Sequence, residues 1–153
     1  MNDRYLFKAK RKNWQELPKD EQWVTGTIMY IENKCMMLIE DEGNLLRVHY
    51  LDDEMWSADI YAIEVDESTI CQCTGLKDKN ENPIWENDIC DRKEPYPEIV
   101  KYCNGDWTLD YSYAIHKESG GCYCNLGFYV EERKCVEVIG NIFDNPELLE
   151  SEE

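Results

Sequence analysis

The stretch TGLKDKNENPIWENDI (residues 74–89) is the most informative part of the sequence. It places one glycine, two lysines, three asparagines, a proline and a tryptophan between two β-like segments. Glycine and asparagine permit backbone conformations with positive φ, and asparagine and aspartate side chains bond to nearby backbone amides. The stretch therefore predicts either a turn with demanding geometry or a binding or catalytic loop.

The composition describes a folded and strongly acidic chain. It has 153 residues, of which 42% are hydrophobic, with ten tyrosines, five tryptophans and three phenylalanines. A chain of this length buries roughly 70% of its unfolded surface, which suffices for one domain or two closely packed subdomains. The net charge of −17 keeps a small protein soluble and repels polyanions, so it disfavours nucleic-acid binding by most of the chain.

Basic residues are concentrated only near the start of the chain, in RYLFKAKRK (4–12). Nucleic-acid binders usually show such a basic footprint, because phosphate neutralisation supplies most of their affinity. One alternative function is therefore nucleic-acid binding through this segment together with Lys77, Lys79 and nearby aromatic residues. A second alternative is an acidic DNA-mimic decoy of a host protein, in which Asp52, Asp53 and Glu54 line up with phosphate-like spacing.

The sequence predicts a soluble protein that makes no contact with a membrane. Its longest uncharged apolar run, CMMLI (35–39), is far shorter than the roughly 20 residues that span a bilayer, and the N-terminus has no apolar signal core. The eight cysteines are then expected to be reduced thiols.

Two cysteine pairs raise the question of a metal site. The CQC and CYC pairs supply four thiolates, but structural zinc sites favour a wider Cys-x2-Cys spacing on a tight knuckle. Apolar packing is therefore the favoured interpretation, and we expect no metal or other cofactor. The thiolate alternative uses Cys71, Cys73, Cys122 and Cys124.

Short β-branched and aromatic segments, broken by Gly, Asn, Asp and Pro, predict an all-β protein. Hairpin turns are expected at DEGN (41–44) and NGD (104–106). The candidate strands span residues 4–10, 22–31, 34–40, 44–50, 62–65, 69–73, 88–91, 98–103, 106–116, 127–131 and 134–142.

The clearest strand pattern and the clearest helix pattern both lie in the second half of the chain. One face of residues 107–115 carries only Trp, Leu, Tyr, Tyr and Ile, which predicts a long strand that bends between two sheets or wraps a small barrel. Near the C-terminus, Asn145 and Pro146 form a helix-start pattern, so a short terminal helix is expected.

Motifs of the common enzyme classes are absent. The chain contains no GxSxG, phosphate loop, dinucleotide fingerprint or HExxH motif. Its two histidines, His49 and His116, would each need a nucleophile and an orienting carboxylate to form a hydrolase triad. We therefore expect no enzymatic activity. Most of the aromatic residues are expected in the core, and a few to line a protein-binding groove, where Trp and Tyr dominate hot spots.

Residues 74–89 resemble the signature of the YopX family, small proteins encoded mainly by phages and prophages of bacteria. The family pattern T-G-L-K-D-K-N-G-x-x-I-Y-E-G-D-I is matched throughout 74–80, and Trp85 takes the aromatic position. Its later matches are Ile84, Glu86, Asp88 and Ile89. A second motif, VIGNIFDNPELL (138–149), resembles the family's V-I-G-N-I-Y-E-N-P-E-L-L. The start of the chain is similar too, so the resemblance covers nearly all of it.

The resemblance implies a predominantly β, barrel-like fold, comparable with small SH3-like barrels, and no established activity or catalytic residues. It implies one domain over 1–153. The finer division is an N-terminal β subdomain (1–73) and a C-terminal SH3-like β-barrel subdomain (74–150).

Within this comparison the residues of the signature have expected roles. The core positions are Leu76, Ile84 and Ile89. The residues expected to bond the backbone or to shape turns are Gly75, Asp78, Asn80, Asn87 and Asp88. Glu81 stands where the family has glycine and tolerates positive φ poorly, so we expect this turn to be rebuilt with Pro83 stiffening it. Cys73 stands where the family often has an aromatic residue, which supports apolar packing.

The function predicted for this chain is that of a phage- or prophage-derived accessory protein. It is expected to act in the bacterial cytoplasm as a non-enzymatic protein-interaction module with a host or phage protein as partner. Edge-strand pairing into a homo-oligomer is left open. The candidate contact residues are Lys77, Lys79, Trp85, Trp107 and Tyr111.

Overall fold

Short antiparallel strands make up most of the protein. The structure, a computed structural model, describes residues 5–39, 47–52, 55–59, 62–114 and 123–150. The N-terminal unit spans Tyr5–Ile70, and the described part of the C-terminal unit begins at Cys71. The all-β prediction is confirmed, and the described strands form open sheets and not a closed barrel.

The N-terminal unit contains a sheet in the order β6-β3-β2-β1 and a separate hairpin of β4 and β5. The β2–β3 turn uses Glu32 and Asn33, both with positive φ. Single 3-10 turns span Trp14–Glu16, Lys19–Glu21 and Glu67–Thr69. The strands are β1 (Phe7–Lys10), β2 (Trp23–Ile31), β3 (Lys34–Leu38), β4 (Arg47–Asp52), β5 (Met55–Asp59) and β6 (Ala62–Glu64).

A small apolar core and one close backbone approach hold the N-terminal sheet together. The core consists of Ala9, Val24, Cys35, Met37 and Val65. In β2, a Cβ on Gly26 would stand 1.8 Å from the carbonyl oxygen of Leu38 in the adjacent strand. Only glycine therefore fits this position without displacing β3.

The C-terminal unit contains a hairpin of β7 and β8 and a five-stranded sheet in the order β12-β11-β10-β9-β13. One helix, α1 (Leu126–Glu131), follows β12, and a 3-10 turn spans Pro146–Leu149. The strands are β7 (Cys71–Lys77), β8 (Pro83–Trp85), β9 (Asp88–Asp91), β10 (Glu98–Cys103), β11 (Asp106–Asp110), β12 (Tyr123–Asn125) and β13 (Glu137–Asn141). The core consists of Ile84, Cys90, Val100, Leu109, Leu126 and Val136.

Two predicted strands of this unit differ most from the structure. Residues 127–131 lie in α1, because the Asn125 side chain accepts a hydrogen bond from the Phe128 amide at 2.7 Å and caps a helix whose Leu126 is buried. The long strand from 106 ends at Asp110, whose side chain accepts a hydrogen bond from the Ser112 amide at 2.8 Å. That local bond starts a turn, so the aromatic alternation beyond it does not belong to a strand.

Turns and chain ends follow the predictions more closely. Asn104 and Gly105 have positive φ between β10 and β11, as predicted for a hairpin. The turn expected at 41–44 lies outside the described residues. Near the C-terminus the expected helix is a single 3-10 turn with Pro146 in its first turn. Asn145 does not cap it, and its side chain accepts a hydrogen bond from the Asn141 amide at 3.3 Å instead.

Candidate functional site

The signature loop, residues 78–82, is a structural element that docks on β13. Asp78 is buried, and its carboxylate accepts hydrogen bonds from the amides of Asn80 and Asn82, each at 2.9 Å, and from the Val138 amide at 3.0 Å. The Lys79 amide donates to the Val136 carbonyl oxygen at 2.9 Å. Burial by itself would raise the pKa of Asp78, but these hydrogen bonds outweigh it and hold the pKa below the ordinary value.

Backbone conformation in the signature is only partly as expected. Asn87 has φ of 67° in the turn between β8 and β9, as expected. Gly75 has φ of 78° but lies inside β7, where the pairing with β8 shifts register, so it belongs to a strand irregularity and not to the expected turn. Glu81 has φ of 66°, so the turn keeps the left-handed conformation and the expected rebuilding is wrong. Asn82 fixes it, because its carbonyl oxygen accepts from the Asp78 amide at 2.8 Å and closes the loop around Glu81. The Asp88 carboxylate accepts from the Trp85 amide at 2.8 Å, as expected of a turn cap.

The core residues of the signature lie where the comparison with small barrels places them. Ile84 and Ile89 are fully buried, and Leu76 packs partly buried against the core. Asn80 does not bond a backbone amide with its side chain. Its Nδ2 lies 3.5 Å from Glu137 Oε1, and its own amide is the group bound by Asp78.

The lysines of the signature lie at the surface with acidic partners. Lys77 Nζ lies 3.8 Å from a carboxylate oxygen of Glu81, and Lys79 pairs with Glu137. The hydrogen bond to Glu137 raises the pKa of Lys79. Both lysines line a depression of about 490 Å³ that also contains Glu131. Their charges are therefore balanced locally, which weakens the case for a phosphate-binding patch.

The five candidate contact residues do not form one site. Trp85 is half-buried in β8 opposite Cys73. Trp107 packs against the core and meets Tyr102 edge to face, with 5.1 Å between ring centroids. Tyr111 lines a different cavity, which sequence reasoning did not otherwise identify.

That cavity is part of a concave surface, here called the tyrosine groove, at one end of the five-stranded sheet. It lies where β9 ends, β10 begins and β11 ends, because these antiparallel neighbours bring their connections to the same edge. The inner cleft, of about 280 Å³, is lined by Arg92, Glu94, Pro95, Tyr96, Glu98, Tyr111 and Tyr129. The outer part, of about 510 Å³, is lined by Pro95, Tyr96, Pro97, Tyr113, Ala114, Leu148, Leu149 and Glu150.

A buried ion pair forms the floor of the inner cleft. Arg92 Nε donates to Glu98 Oε1 at 2.6 Å, and Nη1 donates to Glu94 Oε1 at 3.2 Å. The guanidinium lies 4.0 Å from the ring centroid of Tyr129 and its Nη2 lies 3.3 Å from Cys124 Sγ. Such stacking and charge-assisted bonds fix the arginine in one orientation.

Glu98 is the unusual member of the pair. It is only 1% exposed, and among the residues that the structure describes its Oε2 has no hydrogen-bond partner. Burial raises the pKa of Glu98, and the bond to Arg92 offsets this only in part. Buried acceptors without a partner are rare in native proteins, so this one marks the cleft as a place to look for a ligand.

The outer part of the groove is accessible and combines apolar side chains with polar surface. Tyr96 and Tyr113 are 42% and 38% exposed, and the Tyr113 hydroxyl donates to the Pro97 carbonyl oxygen at 2.7 Å. Leu148 and Leu149 come from the terminal 3-10 turn. The sequence signal is EPYPE (94–98), a proline-flanked tyrosine between two acids, which belongs to none of the enzyme motifs considered above.

Residues of the other hypotheses are only partly described. Cys71 and Cys73 are buried in β7, and Cys124 lies beside Arg92, while Cys122 lies outside the described residues. Within the described ranges no three His, Cys, Asp or Glu side chains are grouped as metal ligands would be. The expected alignment of residues 52–54 concerns side chains that the structure does not describe. His116 also lies outside the described residues. No helix among the described residues is long and apolar enough to cross a membrane.

The basic N-terminal strand is less available to phosphate than its sequence implies. Lys10 is 1% exposed, and its Nζ lies 3.9 Å from the ring centroid of Trp14 and donates to Gln22 Oε1 at 3.0 Å. Lys8 Nζ lies 4.9 Å from the ring centroid of Trp23. These lysines act in packing, so the nucleic-acid hypothesis loses a central residue.

Comparisons with known proteins agree with the sequence resemblance. No curated protein matches the chain. The crystal structure of the protein EF1440 from Enterococcus faecalis is similar in fold, with a TM-score of 0.52 and 23% sequence identity over 94% of this chain and 96% of that one. The family model described as YopX protein matches residues 18–150. The chain therefore belongs to the YopX family.

Proposed function

We propose that the protein is a non-enzymatic interaction module that binds a segment of another protein in the tyrosine groove. The observation that carries this proposal is the groove itself: a concave surface with accessible tyrosines, prolines and leucines above a buried arginine. Tyrosine and arginine are enriched in the binding hot spots of protein interfaces.

The construction of the groove also suits binding. The proline-flanked segment 94–98 has restricted backbone freedom, so little entropy is lost when a partner orders it. Tyr113 is held by its bond to Pro97, and Arg92 is held by two carboxylates and a ring. A rigid surface of this kind binds an extended peptide segment more favourably than a mobile one does.

The proposal includes the biological setting implied by the family resemblance. The protein would be an accessory protein of phage or prophage origin, acting in the cytoplasm of a bacterial host. Its partner would be a host or phage protein, and self-association through edge strands is an additional arrangement that a mass measurement in solution tests.

Site-specific photocrosslinking in the bacterial host tests the groove directly. A benzoylphenylalanine at Tyr96 should give a discrete covalent product with a partner protein. The same group at Tyr102, an exposed tyrosine of the same unit outside the groove, is the matched control and should give none. The product should disappear when Leu148 is replaced by Ser. Equal products from both positions, or none from Tyr96, would refute the proposal.

A further inference from the structure

We infer that the inner cleft receives a lysine or arginine side chain of the partner, so that the segment bound in the groove is cationic. This inference rests on the proposed function and names the chemistry of its partner. Three properties of the described groove residues support it: their charge, their aromatic rings and the free acceptor on Glu98.

The groove carries more negative than positive charge. Among its described lining residues the acids are Glu94, Glu98 and Glu150, and the only base is Arg92. The lining charge is therefore 1 − 3 = −2, on a chain with a net charge of −17. Such a surface attracts a cationic segment and repels an acidic one, which favours one class of partner over the other.

The rings of the cleft suit a cation as well. Tyr96, Tyr111 and Tyr129 all line it, and tyrosine faces attract ammonium and guanidinium groups within about 6 Å of the ring centroid. The Tyr129 ring already holds Arg92 in this way. Tyr96, which is 42% exposed, presents its ring beside the cleft to a second cation.

The size of the cleft and the unpartnered oxygen beneath it both suit a single cationic side chain. A cleft of about 280 Å³ has room for one lysine or arginine side chain. Glu98 Oε1 is occupied by Arg92, while Oε2 has no partner among the described residues. Oε2 is also closed to solvent, so it attracts the cation through its charge from beneath the cleft, with Arg92 left in place.

Selection from a displayed library of random dodecapeptides tests the inference. Peptides enriched by the wild-type protein, and lost with Tyr96→Ala, should contain a Lys or Arg at one dominant position. Replacing that residue by Leu in a synthetic peptide should weaken binding about tenfold, which is typical of a hot-spot side chain. Fluorescence anisotropy measures the affinity.

Variants of the protein separate the groove acids from general charge. Glu94→Gln changes a side chain that is half exposed, so this variant should fold normally. Its affinity for the cationic peptide should fall about threefold, mainly through slower association. Glu98→Gln should weaken it more. Glu131→Gln removes one charge in the other depression and should change nothing.

The outcomes distinguish the two proposals. Groove-dependent peptides without a preferred Lys or Arg, or equal affinity of wild type and Glu94→Gln, would overturn the cationic partner and leave the peptide-binding function standing. A library without any peptide that depends on Tyr96 would overturn both. If Glu98→Gln fails to fold, the Glu94→Gln and peptide results decide the question alone.

Discussion

Asp78→Asn removes the central acceptor of the signature loop with almost no change in shape. The native carboxylate accepts three backbone amides and the side-chain amide of Asn82, whose Nδ2 lies 3.3 Å from Oδ2. Asparagine offers one oxygen and turns an NH2 group toward the remaining donors, whichever way it is flipped. At least one buried backbone amide therefore loses its acceptor.

The magnitude follows from the bonds that are lost. Hydrogen bonds to a charged group contribute about 1.5–3 kcal/mol each, and an orphaned buried donor costs about 1–3 kcal/mol. Asparagine avoids burying a charge, which offsets part of the loss, so we expect the free energy of unfolding of the C-terminal unit to fall by about 2–4 kcal/mol. Urea denaturation gives this value, and hydrogen exchange at the Val138 amide locates it.

The direction of the pKa shift of Asp78 also predicts how the stability of the wild type and of Asp78→Asn depends on pH. The pKa of Asp78 is lowered in the folded protein, so its stabilising contribution is fully present above the ordinary aspartate pKa and is lost as the pH falls through the folded value. Acid should therefore destabilise the wild type more than Asp78→Asn. The matched control is Asp91→Asn, whose half-exposed carboxylate accepts the Lys93 amide at 2.7 Å and lies 3.9 Å from Lys93 Nζ. Equal losses for both variants would refute the argument.

Three further substitutions test the packing described above. Gly26→Ala should lower the free energy of unfolding by about 3 kcal/mol or more, because its Cβ meets the Leu38 backbone. The control Gly127→Ala, whose Cβ has an ordinary 3.4 Å contact in α1, should leave the free energy of unfolding unchanged. Equal effects of the two variants in urea denaturation would contradict this expectation. Lys10→Met should cost about 1–3 kcal/mol, measured by thermal unfolding, because it removes a buried cation from an indole face and a hydrogen bond; an unchanged midpoint would count against it. Asn125→Ala should cost about 1 kcal/mol and speed hydrogen exchange in α1, because the helix loses its cap; unchanged exchange there would show that packing alone holds it.

The sequence predicted those parts of the fold that depend on local chemistry. Strands bounded by turn residues follow from the period-two pattern. The Asn104–Gly105 hairpin and the turn at Asn87 follow from the tolerance of Asn and Gly for positive φ. The two wrong strand predictions described above occurred where a side chain competes with the ladder for the backbone. Asp110 ends β11 and Asn125 starts α1, each by accepting a hydrogen bond from a backbone amide two or three residues further along the chain. Strand propensity takes no account of such local hydrogen bonds.

The candidate site was less predictable for a different reason. The sequence predicts Tyr111 as a contact residue. It does not predict the other three, because Arg92 follows β9, Glu98 begins β10 and Tyr129 lies in α1, and they meet only through the sheet topology. No short motif contains them. The signature, by contrast, drew attention because its residues are adjacent in sequence, and these residues serve the loop and its contact with β13.

If the groove binds a partner as proposed, stability and recognition use separate parts of the C-terminal unit. Asp78 holds the signature loop against β13, whereas the groove is built from the segment after β9, the turn after β11 and the terminal 3-10 turn. Exposed residues on connections can be replaced with little effect on the core. Tyr96→Ala should accordingly abolish peptide binding at nearly wild-type stability, while Asp78→Asn should lose stability first and binding only as the unit unfolds. If both variants lost binding and stability in the same proportion, the division of labour between loop and groove would be wrong.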